Sequence, residues 1–194
     1  MYLRNQPDRR ETMRTLTYGG AVSLDGFLAG VNDSIDWLHF SKDVHQVMAD
    51  YWKKVDTILM GRKTYAVSVA ENPKRAKRGK RTEPAMRTYV FSRTFKKINE
   101  PGVTLVSSDA VEFVRHLKQE AGKDICLMGG GELAQSLLAA GLVDTVGLNI
   151  HPILLGAGIP TFRDCGHRIK LTLTDCRTLE GGCILATYQV LRAL

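Results

Sequence analysis

Three segments of the sequence join a strand-like run to residue types that suit phosphate binding. The first segment is an apolar strand, a glycine turn and a helix start, made of Ile125–Met128, Gly129, Gly130, Gly131, Glu132 and Leu133. Glycine lets a ligand approach the backbone closely, and the unpaired N–H groups of a helix N-terminus attract phosphate. A tight turn that binds no ligand has the same pattern, so both interpretations stay open at this point.

The second and third segments add positive charge and hydroxyl groups to the same arrangement. They consist of Ile58–Met60 with Gly61, Arg62, Lys63 and Thr64, and of Phe91 with Ser92 and Arg93. Guanidinium, ammonium and hydroxyl groups bind phosphate, although a solvated helix start and an exposed turn are simpler alternatives. Three such strand ends predict one extended anionic ligand along the carboxyl edge of a sheet, and a dinucleotide with an additional phosphate fits this description.

The elements that would position these segments alternate along the chain. Apolar runs predict strands at Thr15–Val22, Thr57–Met60, Thr88–Phe91, Val103–Val106, Ile125–Met128, Thr145–Ile150, Lys170–Thr178 and Cys183–Leu191. Predicted helices are Val44–Lys54, a segment from the capping pair Asp109 and Glu112 to a stop at Gly122, and Glu132–Ala140. The alternation predicts a largely parallel α/β sheet, and Glu180-Gly181-Gly182 predicts an antiparallel hairpin at its C-terminal end.

Length and composition indicate one globular domain. The chain has 194 residues, of which 44% are hydrophobic and 24% are charged, and both values are ordinary for a folded domain. We expect a polar and flexible leader over residues 1–13 and a single domain over residues 14–194. Met13, which directly precedes the first apolar run, is an alternative start of the chain.

Membrane and metal signals are missing from the sequence. There is neither an apolar run of transmembrane length nor the apolar core of a signal peptide, so we expect a cytoplasmic protein without a membrane partner. The four cysteines lack the spacing of a zinc site, and no metal is expected. The apolar runs around Cys126 and Cys183 predict buried, reduced thiols.

The formal net charge of +7 is concentrated in the basic stretch at residues 74–81. A solvated loop is the simplest interpretation, and attraction of a phosphorylated ligand is the second. Nucleic-acid binding is not expected, because aromatic residues are not interleaved with the cations and no recognition helix is evident.

Several motifs in register resemble those of the dihydrofolate-reductase-like superfamily. The motifs in the order of dihydrofolate reductases are Ala21–Gly30, Asn32–Trp37, Met60–Tyr65 and Gly129–Leu133. Two later runs, Gly141–Asp144 and His151–Pro160, look like the reductase domain of bacterial riboflavin biosynthesis, and over residues 14–191 the chain is similar to stand-alone bacterial relatives of that domain. The resemblance implies a three-layer α/β/α fold with a mostly parallel central sheet and a C-terminal antiparallel hairpin.

The resemblance also implies an NADPH site. Ala21 and Val22 would line the nicotinamide, and a mobile loop over residues 30–37 would cover the reaction centre with Ile35 and Trp37. The residues implied at the phosphates are Gly61, Arg62, Lys63, Thr64, Ser92, Arg93, Gly129, Gly130, Gly131, Glu132 and Leu133. This assignment agrees with the phosphate-binding segments found from residue chemistry.

Departures from the family patterns limit the predicted activity. Where dihydrofolate reductases have a pterin-binding carboxylate, counting from the flanking motifs reaches Lys42 or His45, so genuine dihydrofolate reductase activity is not expected. A 5-amino-6-(5-phosphoribosylamino)uracil reductase-like activity is one option, although the usual Asp-Pro-Leu-Thr-Arg type of stretch is missing.

We therefore expect an NADPH-dependent reductase that transfers hydride to a small pterin- or pyrimidine-like heterocycle, with or without a phosphate. The resemblance also implies a homodimer. The alternative function is an NADP(H)-binding protein without turnover. The candidate catalytic residues are Asp36, Trp37, Asp43, His45 and Asn149, with Tyr51 as a further proton source and His151 as a neighbour of Asn149.

Overall fold

The computed structural model describes residues 13–71, 86–129 and 131–191. The leader residues 1–12, the basic stretch 74–81 and Gly130 lie outside the described residues. The strands are β1 (Leu16–Ser23), β2 (Phe27–Ala29), β3 (Val55–Gly61), β4 (Arg87–Phe91), β5 (Val103–Val106), β6 (Asp124–Met128), β7 (Thr145–His151), β8 (Ile159–Pro160), β9 (Lys170–Thr178) and β10 (Ile184–Leu191). The α-helices are α1 (Lys42–Lys54), α2 (Arg62–Glu71), α3 (Ala110–Leu117) and α4 (Gly131–Ala139).

Eight of these strands form one sheet in the order β5-β4-β3-β6-β1-β7-β10-β9. In this spatial order, each neighbouring pair among β5, β4, β3, β6, β1 and β7 is parallel. Strand β10 pairs antiparallel with both β7 and β9. The predicted mostly parallel sheet with a C-terminal antiparallel hairpin is therefore confirmed.

Helices cover both faces of the sheet and make three layers. On one face, Tyr51 of α1 and Tyr65 of α2 pack on the apolar cluster that contains Met60 of β3. On the other face, Leu117 of α3 and Leu137 of α4 belong to the larger cluster over the central strands. Because both faces are covered, the central strands are buried at successive positions rather than at alternate ones.

Helix α3 begins as predicted but ends earlier. The Asp109 carboxylate accepts the N–H of Glu112 at 2.9 Å and so caps the first turn. The helix stops at Leu117 instead of continuing toward Gly122. The following residue, Lys118, is buried and its ammonium donates to the carbonyl of Leu142 at 2.8 Å, so this contact fixes the end of the helix.

A second, two-stranded sheet pairs β2 with β8 and has no counterpart in the sequence predictions. The two strands have three and two residues, which is too short for a periodic pattern. A Cβ at Gly158, whose φ is +153°, would lie 2.1 Å from the carbonyl oxygen of Ala29, so only glycine allows this pairing. The small sheet holds the run after β7 against the chain that leaves β1.

The cysteines match the prediction. All four are free thiols, and Cys126 and Cys183 are buried. Burial raises the pKa of Cys126 to about 11, so this thiol stays protonated and unreactive at neutral pH.

Candidate cofactor and substrate site

The carboxyl ends of β4, β3 and β6 lie side by side, because these parallel strands are neighbours in the sheet. A groove of about 950 Å³ runs along this edge. It is lined by the predicted phosphate-binding residues Gly61, Arg62, Lys63, Thr64, Ser92, Arg93, Gly129, Gly131, Glu132 and Leu133. The structure thus brings the three separate segments into one groove, and of this set only Gly130 lies outside the described residues.

Gly129 has a geometric reason to be glycine. Its φ is +58°, and an added Cβ would lie 2.6 Å from the Thr64 hydroxyl oxygen. The turn that follows β6 therefore packs directly on the first turn of α2. At Gly61, by contrast, an added Cβ would meet no atom of the described residues within 4 Å.

Positive charge dominates the polar part of the groove. The cationic side chains that line its described part are Arg62, Lys63, Arg93 and Arg163, and the carboxylates are Asp33, Asp109 and Glu132. The guanidinium carbon of Arg62 lies 6.0 Å from the centre of the Phe95 ring, a cation–π distance that orients this arginine. Arginines at the mouth of a groove suit a phosphate monoester through paired N–H donors.

Arg163 also lines the groove, and the sequence predictions do not include it. Its Nη1 lies 3.8 Å from Oε1 of Glu132, and a Cβ at Gly131 would lie 2.6 Å from its Nε. The arginine therefore crosses the first turn of α4. In the sequence, Arg163 comes shortly after the run His151–Pro160, which could have suggested a place near the site. The number of residues between Arg163 and α4 does not predict that the two are in contact.

The other end of the groove is apolar. It is formed by Leu28 and Ala29 of β2, Ile159 and Pro160 of β8, and Ile35. Ile35 belongs to the loop that the resemblance places over the reaction centre. An apolar wall of this kind accepts a flat ring and keeps water away from it.

Ala21 and Val22 of β1 do not line this groove. Val22 is buried, and its side chain points to the opposite face of the sheet from that of Ala21 because strand residues alternate. Ala21 is the in-register partner of Asn149 on β7, and Ser23 is the partner of His151. Ala21 and Asn149 therefore share one face, and the predicted nicotinamide contact of Ala21 stays a prediction.

Asn149 and His151 form a polar cluster at the carboxyl end of β7. The Asn149 side-chain nitrogen lies 3.2 Å from Nε2 of His151, and the backbone N–H of His39 donates to Nδ1 at 3.4 Å. The Cys183 sulfur lies 3.6 Å from the same Nδ1. His151 is 2% exposed, and Trp37 packs edge-on against its ring at 5.3 Å between centres.

The surroundings of His151 favour its neutral form. Burial lowers the pKa of this imidazole, and the neighbouring ring of His39 lowers it further. His151 is therefore an uncharged hydrogen-bonding group at neutral pH. The neutral ring is compatible with the apolar contact that Trp37 makes.

A pH dependence of stability follows from this pKa. An unfolded histidine takes up a proton near pH 6.5, whereas folded His151 resists protonation, so its contribution to stability is complete above about pH 6.5 and is lost as the pH falls below it. We expect wild type to lose more free energy of unfolding than His151→Gln between about pH 7.5 and pH 5.5 in urea titrations. Equal losses in the two proteins would contradict the neutral, buried state of His151.

The carboxylates proposed from the sequence are placed differently. Asp36 is exposed and accepts the Ser34 hydroxyl. Asp43 accepts the Ser41 hydroxyl, the N–H of Val44 at 2.8 Å and the N–H of Glu180 at 2.6 Å. These bonds, led by that from Ser41, hold the pKa of Asp43 below its usual range, so it serves as a cap that ties α1 to the β9–β10 turn.

His45 and Tyr51 lie on α1. His45 is exposed and its Nδ1 lies 2.8 Å from the carbonyl oxygen of Ser41, which places it at the start of the helix. Tyr51 faces the sheet beside Cys126, and burial raises the pKa of its phenol. The described lining of the groove includes none of the four residues His45, Tyr51, Asp36 and Asp43.

The sheet order, the flanking helices and a cationic groove at the ends of three parallel strands define an α/β protein of the dihydrofolate-reductase-like class. The family model of the RibD C-terminal domain matches residues 14–185. The chain therefore belongs to the RibD C-terminal domain family, and the family predicted from the motifs is confirmed.

Individual relatives agree with this family. The uncharacterized protein YyaP of Bacillus subtilis strain 168 is 36% identical over 174 residues, which are 87% of this chain and 91% of that protein. A putative riboflavin biosynthesis protein from Shewanella sp. PV-4 has a similar structure, with a TM-score of 0.77, 24% identity and coverage of 92% of this chain and 99% of that one. Enterococcus faecalis dihydrofolate reductase, solved with NADP(H) and RAB-propyl, has a TM-score of 0.64 at 14% identity over 91% of this chain and 96% of its own.

Within the part of the chain that the structure describes, no helix is both long enough and apolar enough to cross a bilayer.

Proposed function

We propose that the protein is an NADPH-dependent reductase that transfers hydride to a small pterin- or pyrimidine-like heterocycle. The observation that supports this most directly is the convergence of three strand ends in one groove with glycine at two of its turns and arginine along its walls. Family membership supports a reductase of the riboflavin-pathway and dihydrofolate-reductase-like kind.

The residues present fit the cofactor. An anionic dinucleotide needs backbone N–H donors, close approach to the chain and cations for the additional phosphate. The first turns of α2 and α4 offer the donors, Gly61 allows the approach, and Arg62 and Arg93 offer the charge. When bound, NADPH would supply the hydride.

The chain's own side chains have separate tasks in this proposal. Arg62, with Ser92 and Arg93 across the groove, would neutralise the adenosine phosphate, and Arg163 would neutralise the pyrophosphate at α4. The apolar residues of β2 and β8 would exclude water from the reacting ring.

An NADP(H)-binding protein without turnover is the second candidate. The observation in its favour is the placement of Asp36 and Asp43, which the described groove does not include and which are already hydrogen-bonded elsewhere. The two functions are separated by incubating NADPH with pterins and aminopyrimidines. Substrate-dependent loss of the absorbance of reduced nicotinamide supports the reductase, and cofactor binding without such loss across the panel supports the second candidate.

Arg62→Ala tests which residue recognises the additional phosphate. One charged hydrogen bond is worth about 1.5–3 kcal/mol, so we expect NADPH to bind about 10–100-fold more weakly while NADH binding changes little. Isothermal titration calorimetry measures both. Arg115→Ala is the matched control, because Arg115 is exposed on α3 and does not line the groove. Equal losses for both cofactors would show that Arg62 does not contact the additional phosphate.

Arg163→Ala is expected to behave differently. Because this arginine lies at α4, where both cofactors would place their pyrophosphate, affinities for NADPH and NADH should fall by a similar factor of about tenfold. Titration of the same two cofactors against the Arg62 and Arg163 variants separates the two subsites. A loss confined to NADPH would instead move Arg163 to the adenosine phosphate.

A homodimer and a cytoplasmic location stay predictions. Sedimentation velocity over a range of protein concentrations tests the first, and fractionation of the producing cells tests the second.

A further inference from the structure

The amide of Asn149 has an unsatisfied oxygen. Its Oδ1 is buried and has no hydrogen-bond partner among the described residues, although its nitrogen faces Nε2 of His151 at 3.2 Å. A buried acceptor without a donor is destabilising, and such a group points to a ligand, a water molecule or a different orientation. The two ends of a carboxamide have nearly the same shape, so the hydrogen-bond network decides which end lies where.

The network around His151 decides this orientation. The backbone N–H of His39 can only donate, and the thiol of Cys183 faces the same ring nitrogen, so Nδ1 must have a free lone pair. A neutral imidazole then has its hydrogen on Nε2 and donates there. Nε2 needs an acceptor, and the only acceptor that Asn149 can offer is Oδ1.

Rotating the amide of Asn149 by half a turn meets all these requirements at once. Its Oδ1 then accepts from Nε2 of His151, and its NH2 group occupies the buried position that has no partner. That position lies on the face of the sheet where Asn149 is in register with Ala21 of β1 and Leu185 of β10. A buried NH2 group without an acceptor requires one from outside the described residues, and a ligand or a water molecule can supply it.

We propose that His151 is a positioning residue that fixes the Asn149 amide with its NH2 group toward the ligand, where it donates to a carbonyl oxygen of a planar heterocycle. The inference rests on the proposed function, since it assigns one polar contact to the ligand of the proposed reductase. Two sources have this chemistry, namely the carboxamide of nicotinamide and a ring carbonyl of a pyrimidine or pterin. Trp37 covers His151 at a ring distance of 5.3 Å, so the loop of residues 30–37 shields this network from water.

The first test needs no ligand. Long-range proton–nitrogen NMR spectra of nitrogen-15-labelled protein at neutral pH report which imidazole nitrogen bears the proton, and the signals missing from His151→Gln identify His151. We expect a neutral ring with the proton on Nε2. A proton on Nδ1 or a doubly protonated ring would overturn the proposal, even if the protein binds no cofactor.

The second test exchanges the donor for an acceptor. Asn149→Asp keeps the shape and the acceptor for Nε2 but presents oxygen to the ligand. We expect about a tenfold loss of affinity, the effect of one hydrogen bond, for NADP+ or for uracil added to the NADP+ complex. Loss for NADP+ identifies the carboxamide as the source, and loss for uracil alone identifies the substrate.

The adenosine half of the cofactor provides the control. Binding of 2′,5′-ADP reports the phosphate end of the groove only, and it should not change in Asn149→Asp. If this variant binds NADP+ and uracil as wild type does, the proposal is wrong. If wild type binds neither NADP+ nor 2′,5′-ADP, the proposed function fails, and the tautomer measurement still decides the role of His151.

The histidine itself is tested by two substitutions. His151→Gln keeps an N–H donor for Oδ1 and should retain most of the affinity, whereas His151→Leu frees the amide and should lose as much as Asn149→Asp. If His151 only stabilised the fold, the result would be different. Both variants would then weaken the binding of 2′,5′-ADP as well as that of NADP+ and uracil.

Discussion

Gly19→Ala is expected to prevent β1 from pairing with β7 and to unfold the centre of the sheet. A Cβ at Gly19 would lie 1.7 Å from the carbonyl oxygen of Gly147 and 2.7 Å from its carbonyl carbon. Both atoms belong to the backbone of the neighbouring strand, so no side-chain rotation can relieve the contact. We expect a loss of more than about 4 kcal/mol in the free energy of unfolding, which is beyond the usual range of single substitutions.

Gly20→Ala is the matched control for this prediction. Gly20 has a φ of +148°, close to the +154° of Gly19, but an added Cβ would meet nothing within 4 Å in the part of the chain that the structure describes. The Gly20→Ala variant therefore has the same backbone strain as Gly19→Ala, worth about 1–3 kcal/mol, but not the collision with a neighbouring strand. Urea titrations followed by circular dichroism compare the two variants, and equal losses would show that the collision is relieved by a small shift of β7.

The site depends on this pairing, since β1 and β7 place Ala21 beside Asn149 and Ser23 beside His151. A Gly19→Ala protein that remains partly folded should therefore bind uracil or NADP+ poorly. Its cationic groove lies on β3, β4 and β6, on the other side of β1, so the expected binding of 2′,5′-ADP there should be reduced less.

The cationic groove could be predicted from the sequence because its signals are local. Glycine, cation and hydroxyl residues follow the strands directly at Gly61, Ser92 and Gly129, and the carboxyl ends of parallel strands meet at one edge. The strand pattern was equally local, because apolar runs between helices give nearly correct bounds for β3 to β7. In these places the residue type and its neighbours in the chain determine the structure.

The rest of the site depends on contacts between distant residues. Strand β8 lies far along the chain from its partner β2, Arg163 lies well beyond Glu132 of α4, and no spacing in the sequence connects these partners. His45 and His151 show the same limit. Each directly follows an apolar residue in the sequence, but His45 lies at an exposed helix start whereas His151 is covered by Trp37. Burial of this kind is a tertiary property, and it decides which histidine contacts the Asn149 amide.

Lys118→Met should cause the second large loss of stability. The Lys118 side chain is 1% exposed, and its ammonium pairs with Asp144 and donates to the carbonyl of Leu142 at 2.8 Å. Asp144 also accepts the N–H of Leu16 at 2.8 Å, so the pair joins the end of α3 to the starts of β1 and β7. Breaking a buried ion pair from one side costs about 3–5 kcal/mol, and the partial exposure of Asp144 favours the lower end of this range.

Lys53→Met gives the comparison with an exposed pair. Lys53 pairs with Asp50 at 2.8 Å, but the two side chains are 72% and 55% exposed, so the expected loss is below about 1 kcal/mol. Lys118→Met combined with Asp144→Asn should recover part of the stability, because the double variant no longer leaves a carboxylate without its cation. If Lys118→Met destabilises the protein no more than Lys53→Met does, the ion pair at the end of α3 does not hold β1 and β7 together, and the position of Asn149 and His151 must be fixed by the strand pairing alone.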